Sequence, residues 1–453
     1  MPSPPVSVAS RRTVRPPPRP RERIPLTAWD LALLPADYLQ YGFLFAPPPV
    51  STAQLVDNLE AALAAALAVY YPVVGCSVSV DCASQGVEIL HAVADGVALA
   101  DVVPPDADVP AFVRSFFPLD GAVNHEGHEL PLFVVQITEL ADGVSVGFAH
   151  NHALSDGAAL WDFLNAWAEI APPEAPGAAT SRAPMFERWS PDGGGAPPIR
   201  WLAPALLPYA DLAGLIEKPS PPPPLRERML RFSAESLAAL KGRARQELLA
   251  AGDEASAAAV TKFQALSSLL WWCVTRARRQ ALDQDTVCRF AISNRECLRP
   301  PLPAVYFGNS VYAISTEAVG ASELQARGHG WAAEAVGRTV AAHTDEAIRA
   351  RVAAWTARPT VSLPRLFDAR GVVITSTPRV DVYGFDFGWG KPLAVRTGRA
   401  NKYDGKVSLF PSRDSGSGDI DVEVALAPEH MAALEQDPEF WAAVSPDARK
   451  LDH

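Results

Sequence analysis

Apolar Val144, Val146 and Phe148 alternate with Gly143, Ser145 and Gly147, the period of a strand with one face in a core. The run stops at His150-Asn151-His152, and from Ala158 to Trp167 the apolar residues return at helical spacing. His152 and Asp156 therefore fall on a strand-to-helix turn, where a side chain can reach a substrate. Further along, residues 226–232 read as a strand, Ser233 as a helix cap and 237–248 as the helix it opens. Phe263, Leu266, Leu270, Trp271 and Val274 make a buried helical stripe within 263–279. Residues 371–375 and 420–427 read as strands, the second setting Ile420, Val422, Val424 and Leu426 against charged neighbours. The alanine-rich stretch 59–69 predicts a packed helix that ends before Pro72.

Proline punctuates the chain. Pro172-Pro173-Glu174-Ala175-Pro176, Gly193-Gly194-Gly195-Ala196-Pro197-Pro198 and the run Pro219 to Pro224 cannot propagate a helix or a central strand. The expected organisation is a first lobe over 1–180 carrying His152, a Pro/Gly-rich crossover over 181–224, and a second lobe over 225–453 with its own core. A chain of 453 residues with 48% hydrophobic content supports large cores and excludes global disorder. No apolar run reaches the roughly 20 residues of a membrane-spanning helix.

A net charge of −11 argues against nucleic acid as a partner, because neutralising phosphates takes a basic face. The arginines between Arg11 and Arg23 are interleaved with prolines and lack an apolar segment, so they read as a mobile leader rather than a secretory signal. Five cysteines without paired spacing favour reduced thiols in a cytoplasmic setting. His125 and His128 have HxxH spacing but no acidic or cysteine set beside them, so they read as solvated loop histidines and no metal site is expected.

Three separated signatures stand in order: His152-Ala153-Leu154-Ser155-Asp156, then Pro300-Pro301-Leu302-Pro303-Ala304-Val305-Tyr306-Phe307-Gly308-Asn309, then Asp386-Phe387-Gly388-Trp389-Gly390. Together they resemble the plant BAHD superfamily of acyl-CoA-dependent acyltransferases, whose members carry a catalytic HxxxD and a later DFGWG. Pro25-Leu26-Thr27-Ala28-Trp29-Asp30, Tyr71-Pro72-Val73-Val74-Gly75 and Gly398-Arg399-Ala400-Asn401-Lys402-Tyr403-Asp404-Gly405 extend the resemblance over nearly the whole chain. The branch it resembles holds uncharacterised acetyltransferase-like proteins and members implicated in cuticle polyester formation or defence metabolism. The resemblance implies an α/β fold of two chloramphenicol-acetyltransferase-like lobes with mixed sheets, joined by the Pro-rich crossover, with an active-site channel between them. The protein is then expected to be a cytoplasmic monomer that uses acyl-CoA as a co-substrate, holds no permanent cofactor or metal, and acts on a small-molecule acceptor.

The chemistry follows from the residue types. A thioester already carries a good leaving group, since a thiol of pKa roughly 8.5 departs as thiolate. The attacking alcohol must lose a proton as it bonds, and a neutral imidazole is suited to take it. His152 is the expected general base, and no serine or cysteine is placed as an activated nucleophile, so no acyl-enzyme is expected. The resemblance implies that Asp156 forms a structural ion pair with Arg295 rather than orienting His152, and that Asp386, Gly388 and Trp389 shape a loop near the CoA channel. Ser376, Thr377 and Arg379 are candidates for the donor site, Arg379 through a CoA phosphate. Tyr38 and Asn309 are candidates for the substrate pocket. Two positions depart from the family pattern: Cys76 and Cys297 stand where arginine is usual. Ser376-Thr377-Pro378-Arg379 replaces the serine-tryptophan-threonine-arginine of several hydroxycinnamoyl transferases, which disfavours transfer to shikimate or quinate. The alternatives are a CoA-independent lyase in the same cavity, or a non-catalytic binding protein; the latter predicts damage at His152, Asp156 or Arg295, and all three are present.

Overall fold

Hydrophobic alternation and side-chain caps set most of the elements. The structure is a computed structural model that describes residues 6–74, 79–81, 86–172, 180–191, 224–279, 283–357, 370–376, 380–413 and 416–445. Before the crossover come β1 (Val6–Val14), β2 (Leu39–Phe45), α1 (Thr52–Val69), β3 (Val87–Ala94), β4 (Phe133–Leu140), β5 (Gly143–His150) and α2 (Gly157–Ile170). After it come β6 (Arg226–Phe232), α3 (Ala234–Ala250), α4 (Lys262–Ala277), β7 (Cys288–Ser293), β8 (Val311–Ser315) and α5 (Ala321–Ala341). The chain ends through β9 (Val372–Ser376), β10 (Ala394–Thr397), β11 (Lys406–Pro411) and β12 (Ile420–Leu426). Ser51, Asp156, Ser233 and Thr261 each accept a backbone N–H of the first turn of α1, α2, α3 and α4, the side-chain caps that helix starts favour.

The strands form two mixed six-stranded sheets, ordered β1-β3-β4-β5-β2-β10 and β8-β7-β9-β11-β12-β6. The first packs Phe43, Phe133, Phe148, Leu63 and Trp161 into one core. The second packs Leu266, Trp271, Val372, Val407 and Val424 into another. The sheets are not partitioned at the crossover, because β10 leaves the second half of the chain to pair antiparallel with β2 of the first sheet, Ala394 opposite Leu44 and Thr397 opposite Tyr41. Val382, Phe385 and Phe387 join the first core with it.

The N-terminal arginines are not a mobile leader. β1 runs antiparallel to β3, Val14 opposite Val87 and Arg12 opposite Ile89. The sheet edge is held electrostatically as well, Arg11 reaching Glu88 at 3.0 Å and Arg12 reaching Asp57 at 2.5 Å and Glu60 at 2.9 Å. His125 is likewise not solvated; it is buried on the short turn Asn124–His128. Much of 181–224 lies outside the described residues. Its start runs back along the site, with Met185 N–H donating to Val305 O at 2.8 Å and Phe307 N–H to Met185 O at 2.9 Å.

Candidate active site

β5 delivers its last residue, His150, opposite Leu39 of β2 and Phe133 of β4. The chain then turns through Asn151–Ser155 and enters α2, whose cap is Asp156. Side chains from three other segments help to hold this turn. Asn124 Oδ1 accepts the His152 N–H at 2.8 Å, Asn309 Nδ2 donates to His152 O at 2.7 Å, and Arg188 donates to Leu154 O at 3.2 Å.

The His152 ring is half-buried, and its Nδ1 lies 3.2 Å from Ser155 O. A carbonyl only accepts, so Nδ1 carries the proton and Nε2 keeps a lone pair. Burial pushes the His152 pKa down, with Asp156 opposing it, so the ring is neutral near pH 7. Behind it, fully buried His150 meets Ser155 Oγ at 2.9 Å, and burial lowers its pKa to about 3.

Among the described residues the four hydrogen bonds of Asp156 run to other partners than the His152 ring. Oδ1 accepts Ala159 N–H at 3.2 Å and Arg295 Nη2 at 2.9 Å; Oδ2 accepts Ser310 N–H at 2.8 Å and Arg295 Nη1. Arg295 also donates to Gly308 O at 3.1 Å and Tyr306 O at 3.3 Å, stitching the loop before β8 to the start of α2. The geometry is that of a structural clamp across the two halves of the chain.

Asn309, read from the sequence as a substrate contact, is fully buried, and its amide serves His152 O and Asp30 Oδ1 at 2.8 Å. Tyr38 is fully buried as well, packed with Ala122 and Ala149. Ser376 closes β9 with part of its surface exposed, while Thr377 and Arg379 lie outside the described residues. The Asp386 carboxylate is turned onto its own loop, Oδ1 accepting Gly388 N–H at 2.8 Å and Gly390 N–H at 2.9 Å. Phe387 packs on Trp167 at 4.8 Å and on Trp389 at 5.6 Å. Trp167 sits about 16 Å along α2 from Asp156 at ~1.5 Å per residue, so this motif is anchored at the far end of the helix that the histidine turn begins.

Several residues of the site carry no sequence signal of their own. Asn124, Asn151, Asp30 and Arg188 are buried, and they matter only because folding brings their polar atoms to the turn. Asp30 is the one hinted at locally, since Thr27 and Asp30 form a reciprocal cap in which Thr27 N–H donates to Asp30 Oδ2 at 2.7 Å.

The Transferase family model matches residues 5–441. The chain is 32% identical over 441 residues to an uncharacterized acetyltransferase of Arabidopsis thaliana, covering 93% of this chain and 94% of the relative. It is 30% identical over 458 residues to the BAHD acyltransferase DCR of Arabidopsis thaliana, covering 96% and 92%. Among solved structures, TRI101 of F. sporotrichioides complexed with coenzyme A and T-2 matches with a TM-score of 0.69 at 17% identity, covering 93% of this chain and 99% of that one.

Proposed function

The chain belongs to the Transferase family, the BAHD acyltransferases, and from that premise we propose that it moves an acyl group from acyl-CoA to a hydroxyl, or an amine, of a plant specialised metabolite or lipid-polyester precursor. The observation that carries the reading is the tautomer of His152: Nδ1–H is committed to Ser155 O, so Nε2 is the atom with a lone pair to receive a proton.

Donor and acceptor bind together in a ternary complex, which turns a bimolecular encounter into a positioned attack. The acceptor oxygen bonds to the thioester carbonyl carbon as its proton passes to His152 Nε2. The tetrahedral intermediate collapses with cleavage of the C–S bond, and the CoA thiolate takes the proton back from the imidazolium. The ester and free CoA leave, and the base is neutral again. Asp156 and Arg295 act by holding the turn. CoA in the solved TRI101 complex supports the donor assignment. The reading includes a cytoplasmic monomer, with the acceptor and CoA arriving from opposite faces between the lobes.

The test is mass-spectrometric detection of acylated product and released CoA when purified protein meets a panel of acyl-CoAs and pooled plant phenolics, alcohols and amines. His152→Ala is expected to lower turnover by roughly 10²–10⁴ with the fold intact. Turnover in that variant equal to the wild type would sink the assignment of the base, and product formed without CoA would replace the transferase with a lyase.

A further inference from the structure

The second sheet has two unlike faces. Val372, Ile374, Val407, Leu409, Val422 and Val424 are buried against the helices. Their strand neighbours Thr375, Lys406 and Ser408 keep part of their surface exposed, and Ala291 and Ser293 on β7 are exposed. Pairing sets these on the opposite face: Ser408 lies opposite Thr375 and Glu423, and Lys406 opposite Val373 and Ala425. That face looks toward the first sheet, because Phe410 of the same row reaches Tyr41 of β2 with ring centroids 6.4 Å apart. β2 in turn pairs with β5, the strand that ends at the His152 turn. A partly exposed polar wall between two sheets is a place for a ligand.

Lys406 is a cation on that wall, in one row with Arg289 of β7 across Val373. Its Nζ donates to Thr375 Oγ1 at 2.7 Å, its one hydrogen bond among the described residues, and Thr375 reaches Ser408 Oγ at 3.3 Å. No carboxylate among the described residues lies within ion-pair distance of Lys406. The two nearest in register, Glu227 and Glu423, are both taken by Lys402, at 2.6 and 3.1 Å, and Glu423 also accepts the Thr397 hydroxyl at 2.6 Å. An ammonium has three donors, so two are left for a guest. A half-buried charge with no counter-ion is costly, and an incoming anion relieves that cost.

We propose that Lys406, with the Thr375 and Ser408 hydroxyls, is the receptor for a carboxylate at the non-reacting end of a substrate. This rests on the acyltransferase reading for which substrate carries the carboxylate, the acyl group of the donor or the acceptor. The site has a pH signature. Burial lowers the Lys406 pKa to about 7, Lys402 adding to the shift and Glu423 opposing it. The other charged or titratable groups on that face of the surrounding elements are Glu227 and Arg231 from β6, Arg289 from β7, Asp421 from β12, Lys402 ahead of β11 and Tyr41 from β2. Tyr41 stays neutral, its pKa pushed up to about 12 by burial. A carboxylate guest is ionised throughout pH 6 to 9, so its advantage is greatest below about 7 and fades as Lys406 loses its proton above that.

Calorimetric titration of the full chain decides it, with wild type, Lys406→Met and Lys406→Arg at pH 6.5 and 8.5. The donor arm compares malonyl-CoA with acetyl-CoA. The acceptor arm, in saturating free CoA, compares 3-hydroxybenzoate with its methyl ester. In at least one arm the charged member should bind wild type about tenfold tighter or more at pH 6.5, the size of one charge-assisted hydrogen bond. That advantage should shrink at pH 8.5, vanish in Lys406→Met, and persist at both pH values in Lys406→Arg. The proposal is overturned if wild type shows no preference in either arm, or if Lys406→Met keeps it. Free CoA alone is the separate control: if it does not bind, the acyltransferase reading fails, while the acceptor pair, run without CoA, still decides Lys406.

Discussion

Removing Arg295 separates structure from chemistry at this site. The Asp156 side chain is 1% exposed and that of Arg295 11%, so Arg295→Met leaves a buried carboxylate with only the Ala159 and Ser310 N–H groups to serve it. It also strips a donor from the Gly308 and Tyr306 carbonyls. Breaking one side of a buried pair costs about 3–5 kcal/mol, most of it from the stranded charge. Asp156→Asn should cost a comparable amount, because its amide keeps the helix cap but turns an NH₂ toward the arginine and the Ser310 N–H. The double variant strands no charge, so it should be less destabilised than the sum of the singles by about 1–3 kcal/mol. Chemical denaturation of the four proteins measures the coupling. Turnover should fall together with stability, and recover in part in the single variants at low temperature. If Arg295→Met unfolds at the wild-type midpoint and is nonetheless inactive, the clamp argument is wrong and Arg295 acts on substrate.

Other expectations follow from the same geometry. Asn309→Ala frees Asp30 and the His152 carbonyl, so kcat should fall between tenfold and a hundredfold through a misplaced base, with free-CoA affinity, read by calorimetric titration, unchanged; because the Asn309 hydrogen bond holds the His152 pKa up, the apparent pKa of the kcat profile should move down. Gly388 sits at φ +106° with an added Cβ only 3.3 Å from Pro172 Cα; Gly388→Ala should cost about 1–3 kcal/mol in denaturation. His150 has a folded pKa near 3, below its unfolded value of about 6.5, so the stability it contributes is fully present above pH ~6.5 and is lost as pH falls toward 3. Melting curves from pH 7 to 4 should show that loss, and His150→Gln should flatten it.

The strand into the His152 turn, the helix after it, β6, α3 and α4 were legible because each carries one period of hydrophobicity over several residues, and each of the helices a side-chain cap at its start. Thr261 and Ser233 mark helix starts in the sequence as they do in the fold. β1 was missed for an instructive reason. It is an edge strand with two adjacent arginines, one on each face, charges suited to blocking further strand pairing, and it reads as unstructured until β3 supplies its partner. β10 was missed because four residues, Ala394–Thr397, are too few for a period to register. Its place in the first sheet is decided by a partner more than three hundred residues away.

The histidine and its immediate turn were within reach of a local reading, but the groups that hold them were not. His152 N–H, Leu154 O and His152 O are served by Asn124, Arg188 and Asn309, from three segments with no shared pattern. A motif records what the chemistry needs, while the support belongs to whichever buried polar atoms the packing brings within reach, each of which must find a partner once water is excluded. Asn309 shows the consequence. Its neighbourhood in the sequence suggested contact with substrate, yet an amide that is fully buried and bonded to both Asp30 and the His152 carbonyl is committed to aligning the base. Lys406 is the converse case, an ammonium on the inter-sheet wall whose one hydrogen bond among the described residues goes to the Thr375 hydroxyl, leaving donors unspent. Donors already satisfied fix the position of the base, and donors left over mark where a substrate is expected, so variation among such enzymes should concentrate at positions like Lys406 rather than at Asn309.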